Sequence, residues 1–198
     1  YKLKNSKNKN INFGPISVFS SYALVNENRT FLKPPKMNFL EAVLYGCAVP
    51  TGAGIVLNEL PKLKKSNKVC LIGTGGIGMM SFITLLKSKC KIFVIENNKK
   101  KIKFLKKFKV NFISRQKNLK NYQNYFDYCV ESSGSVNMIE KGLSLIKNNG
   151  IIIFASHPPK KHKIKLDPHE LINGKRIFGS WGGCCKPDRD INKIFKYF

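Results

Sequence analysis

The sequence lacks any apolar run of about eighteen residues, the length that a membrane-spanning helix requires. That absence predicts a chain without a transmembrane segment, and we expect no membrane partner. None of its six cysteines forms a Cys-x-x-Cys pair, and three of them fall in or beside apolar, strand-like segments. This spacing is typical of a reducing compartment rather than of a disulfide framework. No secretory signal is recognisable, so a cytoplasmic location is expected.

Acidic residues are scarce: 11 Asp and Glu stand against 36 Lys and Arg, which gives a formal net charge of +25. Such an excess indicates either binding to nucleic acid or an anionic membrane, or a compositional bias of the kind that an AT-rich genome produces. The lysines are spread over nearly every segment, and no RNA-binding aromatic motif or recognition helix accompanies them. We therefore favour the bias and expect no specific nucleic-acid partner, although the charge predicts nonspecific polyanion binding at low salt.

The 198 residues include 42% hydrophobic side chains, which is enough for a packed domain. The chain begins at Tyr1 and ends at Phe198 within an apolar, helix-like pattern. These features favour a piece of a longer protein, and we expect part of its chemistry to lie outside this chain.

The most informative segment is Gly73-Thr74-Gly75-Gly76-Ile77-Gly78. It follows an apolar, strand-like run at 68–72 and leads into a helix-like segment at 77–87. An acidic residue, Glu96, ends the next apolar run about twenty residues further on. Strand, glycine loop, helix and acidic residue in this order are typical of a dinucleotide-binding βαβ unit.

Each glycine of this loop has a physical reason. Gly73 allows a tight turn out of the strand, Gly75 leaves no side chain between the backbone and a pyrophosphate, and Gly78 lets the helix pack closely on the sheet. Amides around Gly75 and Gly76, at the start of the helix, then face the phosphates. The alternative is a glycine-rich loop without a ligand, which the surrounding pattern disfavours.

Strand-like and helix-like segments alternate from Lys68 onward and predict an α/β fold, a doubly wound parallel (Rossmann) sheet of about six strands. Runs such as 151–154 are apolar on both faces, as a sheet covered by helices on both sides requires. The expected strands are 69–72, 92–96, 112–114, 126–131, 151–155 and 177–179, and the expected helices between them are 77–87, 99–108 and 136–147.

Upstream of this domain the pattern is less regular. Residues 16–25 are rich in Val, Phe, Tyr and Ser and predict a strand. Asn38 and Glu41 have the spacing of a capping box, which predicts a helix that runs to about Tyr45. A second helix is expected at 53–60.

With these segments in view, the chain resembles the medium-chain dehydrogenases, the zinc-dependent alcohol dehydrogenase family, over nearly its whole length. The resemblance implies that 1–47 is a residual piece of a GroES-like β catalytic domain, 48–187 the NAD-binding Rossmann domain, and 188–198 the start of a helix that returns to the catalytic domain. The motifs that carry it, in the family's order, are 17–22, Gly46-Cys47 with 51–54, 73–78, 126–131 with Gly134, 150–155 with Pro158-Pro159, and 175–180.

The resemblance implies an NAD site. Glu96 corresponds to the acidic residue that accepts hydrogen bonds from the adenosine ribose, and its charge repels a 2′-phosphate, so NAD is expected rather than NADP. Lys101 falls where the family often has a lysine near that ribose, with a plain surface lysine as the alternative. The other implied contacts are Thr51 and Ile77 at the nicotinamide, backbone groups near Ala155 and His157 at its carboxamide, Ser132 on the adenosine side, and the loop glycines Gly73, Gly75, Gly76 and Gly78.

Cys47 matches one of the three protein ligands of the catalytic zinc in zinc-dependent members. A thiolate suits zinc, and three protein ligands leave a fourth position for the substrate oxygen. The resemblance thus implies hydride transfer from a zinc-bound alcohol to NAD, with Cys47 and Thr51 in catalytic positions. The alternative is that Cys47 is a small buried cysteine at a helix end.

Several features depart from the family pattern. The other two zinc ligands, a cysteine and the histidine of a Gly-His-Glu motif, are not in this chain, and the four-cysteine structural zinc lobe is absent too. We therefore expect this chain alone to hold NAD without alcohol dehydrogenase activity. Lys109 stands where a glycine often ends a helix, so either it is left-handed or the helix ends differently. Ser156 stands where glycine is common beside the nicotinamide.

Other functions stay open: a zinc-free reductase of the same superfamily, which Cys47 disfavours, and a truncated or degraded gene product that only binds a dinucleotide. The implied substrate is a small alcohol, polyol or aldehyde, and a homodimer formed through the sixth strand is expected by analogy alone. We expect no ligand set among the histidines, and Cys184 and Cys185 are expected to pack in a loop.

Overall fold

The computed structural model describes residues 7, 21–25, 27, 30–113 and 116–198, without the side chains of residues 116–118. The chain divides into two compact units, Tyr1–Pro35 and Lys36–Phe198. The boundary expected between residues 47 and 48 is a different one and stays a prediction. Residues 16–20 of the strand predicted at 16–25 lie outside the described residues, and residues 21–25 are irregular. The GroES-like piece therefore also stays a prediction.

A sheet of six parallel strands organises the second unit. The strands are β1 Lys68–Ile72, β2 Lys91–Ile95, β3 Asn111–Phe112, β4 Phe126–Glu131, β5 Ile146–Phe154 and β6 Arg176–Gly179. Their order is β3-β2-β1-β4-β5-β6, and every neighbouring pair is parallel. The order reverses between β1 and β4, so the carboxyl ends of these two strands border a crevice. The predicted doubly wound α/β fold is confirmed.

Helices connect the strands and cover both faces of the sheet. They are α1 Phe39–Tyr45, α2 Ala48–Gly54, α3 Gly76–Lys87, α4 Lys99–Leu105, α5 Val136–Leu145, α6 Pro168–Ile172 and α7 Pro187–Tyr197. A π-helical turn, Ile55–Glu59, continues α2, and 3-10 turns lie at Gln116–Tyr122 and Gly182–Cys184. Within the described ranges no single helix is long and apolar enough to cross a membrane. The combined length and composition of α1 and Ala48–Glu59 would be sufficient, but the two segments are bent by 51° relative to each other.

The core lies on both faces of the sheet. Side chains of β1 alternate between two buried clusters, with Val69 and Leu71 in the one and Cys70 and Ile72 in the other. Because both faces of the strand are buried, it is apolar throughout, as predicted. All six cysteines are free thiols, which agrees with the absence of a disulfide framework in the sequence pattern.

The start of α1 confirms the predicted capping box. The Oδ1 atom of Asn38 accepts from the Glu41 amide at 2.8 Å, and Oε2 of Glu41 accepts from the Asn38 amide at 3.2 Å. The helix ends at Tyr45, as predicted.

Three helices differ from the predictions by more than one residue at one end. The helix expected at 136–147 ends at Leu145, because β5 begins at Ile146. The helix expected at 53–60 already begins at Ala48. Pro50 is compatible with this start, because it falls in the first turn, where a missing N–H breaks no intrahelical hydrogen bond. The helix expected at 99–108 ends at Leu105. Lys109 is not among the described residues with positive φ, so of the two alternatives the helix ends differently.

Candidate dinucleotide site

The glycine loop leaves β1 through a left-handed turn at Gly73, whose φ is 79°. The Gly73 amide donates to the carbonyl of Ile95, at the end of the neighbouring strand, at 2.9 Å. A Cβ atom at this position would lie 3.0 Å from the backbone and side chain of Ser133. Both the dihedral angle and the space therefore require glycine here.

Gly75 and Gly78 differ in their surroundings. Gly75 caps α3 with φ −69° and ψ −165°, and a Cβ atom there would meet nothing within 4 Å. A Cβ atom at Gly78 would lie 2.2 Å from the carbonyl oxygen of Gly73 and 2.4 Å from Oγ of Ser132. The helix is thus pressed against the turn at Gly78 and open to solvent at Gly75. Because the first amides of a helix lack intrahelical acceptors, this open end is suited to an anion.

Glu96 directly follows β2 at the carboxyl edge of the sheet, and its side chain turns back to the glycine loop. Its Oε2 accepts from the Thr74 amide at 3.0 Å and from the Thr74 hydroxyl. Its Oε1 accepts from the amides of Asn97 at 2.8 Å and Asn98 at 2.9 Å. The Nζ atom of Lys101 lies 3.9 Å from Oε2. Glu96 therefore braces the loop, a contact that sequence reasoning did not include.

The environment of Glu96 shifts its acidity. Burial by itself would raise the pKa of this carboxyl, but hydrogen bonds from the Thr74 hydroxyl and from the amides of Asn98, Asn97 and Thr74 together lower the pKa below its ordinary value. Because the folded pKa is depressed, ionised Glu96 stabilises the fold above the ordinary value of 4.5, and this contribution is lost as the pH falls through the folded pKa.

We expect Glu96→Gln to lower the free energy of unfolding by about 1–3 kcal/mol at neutral pH, because a Gln amide nitrogen cannot accept from backbone amides. The variant should also lose less stability than the parent chain as the pH falls from about 5 through the folded pKa of Glu96, since it no longer has this carboxyl to protonate. Urea unfolding at several pH values measures both effects. Glu140→Gln is the control, because that carboxylate accepts a single backbone hydrogen bond, from Lys165 at 2.8 Å. Parallel pH profiles of parent and Glu96→Gln chains would contradict the assignment.

Ser132 follows β4 across the crevice from the glycine loop. Its amide donates to the carbonyl of Ile72 at 2.9 Å, and its hydroxyl donates to the carbonyl of Gly73 at 3.0 Å. The structure thus brings together Gly73, Gly78, Ser132 and Glu96 around one turn. Their role in binding a cofactor stays a prediction.

The residues expected at the nicotinamide lie on α2, α3 and the end of β5. Thr51 is buried, and its hydroxyl donates to the carbonyl of Cys47 at 2.8 Å, one helical turn earlier. Ile77 is partly buried in the first turn of α3. Ala155 is buried and its amide donates to the carbonyl of Glu131 at 2.9 Å, which extends the strand pairing.

His157 is exposed, and its ring stands edge-on to that of Trp181, with 5.6 Å between the centroids. Trp181 follows β6 and is 82% exposed. Sequence reasoning did not give Trp181 a place at this edge, although an aromatic residue two positions after a strand of a parallel sheet is a usable signal.

Cys47 lies at the start of α2 and is exposed, so the alternative of a buried packing cysteine is wrong. In the part of the chain that the structure describes, no group of three or more His, Cys, Asp or Glu side chains could hold a metal ion. Cys47 alone does not make a zinc site, and its role as a ligand stays a prediction.

The expectation of loop packing holds for one of the two neighbouring cysteines after β6. Cys185 donates through Sγ to the carbonyl of Pro50 at 3.1 Å, and burial raises the pKa of its thiol to about 11. Cys184 is exposed and left-handed, with φ 49°. The loop packs closely against α2. A Cβ atom at Gly54 would lie only 2.3 Å from the carbonyl oxygen of Gly183, so this contact requires glycine.

A fully buried carboxylate, Glu131, ends β4 and was not among the predicted site residues. Its oxygens accept from the amide of Ser133 at 2.7 Å and from the hydroxyls of Ser133 and Ser156. An acidic residue that closes an apolar strand and is followed by serines could have revealed it.

The strand order, the crevice between β1 and β4 and the glycine turn that borders it define a Rossmann-type nucleotide-binding domain. Residues 76–196 match the model of the zinc-binding dehydrogenase family. The chain belongs to that family, as its motifs predicted.

Curated relatives and solved structures agree with this assignment. Alcohol dehydrogenase 2 of Zea mays and alcohol dehydrogenase 1 of Pisum sativum are each 23% identical over 193 residues, which is 92% and 91% of this chain and 51% and 50% of those proteins. Benzyl alcohol dehydrogenase from Acinetobacter calcoaceticus has a TM-score of 0.81 at 22% identity, over 91% of this chain and 52% of that one.

An alcohol dehydrogenase zinc-binding domain protein from Burkholderia ambifaria has a TM-score of 0.84 at 21% identity, over 98% of this chain and 55% of that one. These likenesses confirm the fold. The chain spans about half the length of the curated relatives it matches.

Proposed function

We propose that this chain is the NAD-binding part of a zinc-dependent alcohol or polyol dehydrogenase. The observation that carries the proposal is the arrangement at the sheet's crevice: an open helix start at Gly75, with Glu96 beside the same turn. A diphosphate fits the first feature, because backbone amides and the helix dipole favour an anion. A ribose diol fits the second, because a carboxylate accepts hydrogen bonds from hydroxyls.

The nicotinamide ring of bound NAD supplies the hydride acceptor. In this proposal the amides of Gly76 and Ile77 bind the pyrophosphate, and Glu96 and Lys101 face the adenosine ribose. The carboxylate of Glu96 already accepts four hydrogen bonds, so the Thr74 hydroxyl rotates away when a ribose hydroxyl takes its place. The charge of Glu96 disfavours a 2′-phosphate.

The remaining proposed roles depend on the full dehydrogenase. Cys47 would be one ligand of the catalytic zinc, Thr51 would face the nicotinamide and the substrate, and the other zinc ligands would come from outside this chain. The substrate would be a small alcohol or aldehyde, and the dehydrogenase a cytoplasmic homodimer paired through β6. The chain's own residues then bind and orient the cofactor, with backbone groups of Ala155 and His157 at its carboxamide.

We expect the purified chain to bind NADH at least tenfold more tightly than NADPH and to show no zinc-dependent alcohol oxidation. Trp181 is the only tryptophan of the chain, so energy transfer from it to bound NADH gives a direct titration. Alcohol oxidation is assayed with zinc and NAD at saturating concentration. Binding of neither dinucleotide would contradict the proposal, and turnover with zinc would contradict the inactivity of this chain alone. Dinucleotide binding without any preference would favour a product that only retains the nucleotide fold.

A further inference from the structure

Glu131 links two strand ends that the proposed function assigns to opposite halves of the cofactor. Its Oε1 accepts from the amide of Ser133 at 2.7 Å and from the Ser133 hydroxyl. Its Oε2 accepts from the hydroxyl of Ser156. Ser133 lies directly behind the turn at Gly73, whereas Ser156 follows β5. A single carboxylate therefore connects the turn at Gly73–Gly75, which we call the phosphate turn, to the nicotinamide side of the crevice.

The carboxylate has an unusual setting for a charged group. Glu131 is 0% exposed, and none of the ion pairs formed by the described side chains includes it. A buried carboxylate without a cationic partner is costly unless hydrogen bonds hold it. The Ser133 hydroxyl accepts from the amide of Ser135 at 3.3 Å, so its own hydrogen is directed to Glu131. The hydrogen bonds that this carboxylate accepts thus all come from two serines.

Ser156 is the informative partner, because its hydroxyl reaches Glu131 from the segment that leaves β5. It lies between Ala155 and His157, and the Ala155 amide also pairs with the Glu131 backbone at 2.9 Å. The hydrogen bond to Glu131 therefore fixes the segment that leaves β5 at its first residue beyond the strand pairing. A glycine could not make this bond.

We propose that Glu131 is a positioning residue for the nicotinamide half of the cofactor and acts through the Ser156 hydroxyl. This inference rests on the proposed dinucleotide function. The bond holds the backbone of 155–157 in place, so its loss weakens contacts to the nicotinamide and leaves those to the adenosine diphosphate unchanged.

The test compares two ligands, NADH and ADP-ribose, of which the second lacks the nicotinamide ring. We expect Ser156→Ala to weaken NADH binding by roughly ten- to hundredfold, the range for one hydrogen bond to a charged group, and to change ADP-ribose binding less than about twofold. Isothermal titration calorimetry on the full 198-residue chain measures both affinities. Far-ultraviolet circular dichroism verifies that each variant is folded.

Glu131→Gln provides a second variant whose effect follows from hydrogen-bond chemistry. The Ser133 amide can only donate, so the Gln oxygen must face it and the Gln NH₂ group must face Ser156. The Ser156 hydroxyl then reverses and accepts from that group, so a neutral hydrogen bond replaces a charge-assisted one. We expect a loss of NADH affinity that is selective in the same way but smaller than in Ser156→Ala. Because both changes act on one bond, the double variant should be no weaker than the more affected single variant. Glu140→Gln, the same substitution on α5, should change neither affinity.

The outcomes separate the inference from the proposed function. Equal weakening of NADH and ADP-ribose, additive effects in the double variant, or no effect of Ser156→Ala would overturn the positioning role while leaving dinucleotide binding intact. If the unaltered chain binds neither ligand, the proposed function fails and this inference fails with it.

Discussion

Replacing Gly75 with valine should abolish measurable NADH binding while leaving the chain folded. The backbone at Gly75 has φ −69° and ψ −165°, which residues with a side chain readily adopt, and a Cβ atom there would meet nothing within 4 Å. The added side chain would instead fill the space in front of the helix start, where we place the pyrophosphate. We expect a loss of affinity of roughly 100-fold or more, about 2.8 kcal/mol, with the midpoint of thermal unfolding nearly unchanged.

Gly46→Val is the matched control for this experiment. Gly46 is exposed at the end of α1, and a Cβ atom there would make only an ordinary contact, 3.4 Å from the carbonyl oxygen of Val43. It should bind NADH like the parent chain. Retained affinity in Gly75→Val would remove the pyrophosphate from this turn and, with it, the proposed function.

A valine at Gly52 should have the opposite profile, a large loss of stability. A Cβ atom at Gly52 would lie 2.3 Å from the carbonyl oxygen of Ile77 and 2.9 Å from the amide nitrogen of Ser81, both in the backbone of α3. The hydroxyl of Ser81 also donates to the Gly52 carbonyl at 2.9 Å, in the buried contact between α2 and α3. Overpacking at such a contact costs about 3 kcal/mol or more, because backbone must move.

Thermal unfolding followed by circular dichroism measures this loss, which we expect to lower the midpoint by about 6–12 °C. Gly46→Val again serves as the control, since it adds the same side chain beside α1 in an open position. An unfolding midpoint of Gly52→Val equal to that of the control would mean that α2 and α3 do not pack as closely as described.

The sheet was largely predictable from the sequence. The bounds of β4 agree with the prediction, and β1 and β6 each begin one residue earlier than expected. Buried parallel strands are short apolar runs, and turn residues mark their ends, so pattern alone locates them. β5 is different: it was expected to begin at residue 151 but begins at Ile146, and Asn149 within it is left-handed with φ 61°.

α2 was harder to predict because its sequence opposes its structure. Pro50, Gly52 and Gly54 lower the helix propensity of this segment. Its stability comes from packing against α3 and the loop after β6, where a side chain at Gly52 or Gly54 would collide with backbone. Local sequence does not encode such tertiary contacts, and therefore the helix was expected to begin only at residue 53.

Of the candidate site, the sequence predicts the positions of residues but not their side-chain contacts. The positions of Gly73, Gly78 and Glu96 follow from strand ends and motif spacing, since parallel strands bring their carboxyl ends to one edge. The use of Glu96 as a brace and the burial of Glu131 do not follow from spacing, because hydrogen bonds between side chains depend on which way each side chain turns.

The bonds between Thr74 and Glu96 are made entirely by the chain itself, so the phosphate turn acquires its shape during folding. A flexible binding site would lose conformational entropy when a ligand binds, but this turn has already lost that entropy on folding. Encounter with a dinucleotide needs no slow rearrangement of this turn, and recognition there is close to rigid docking. The backbone of the turn should therefore superimpose in the liganded and free forms, with only the Thr74 hydroxyl reoriented.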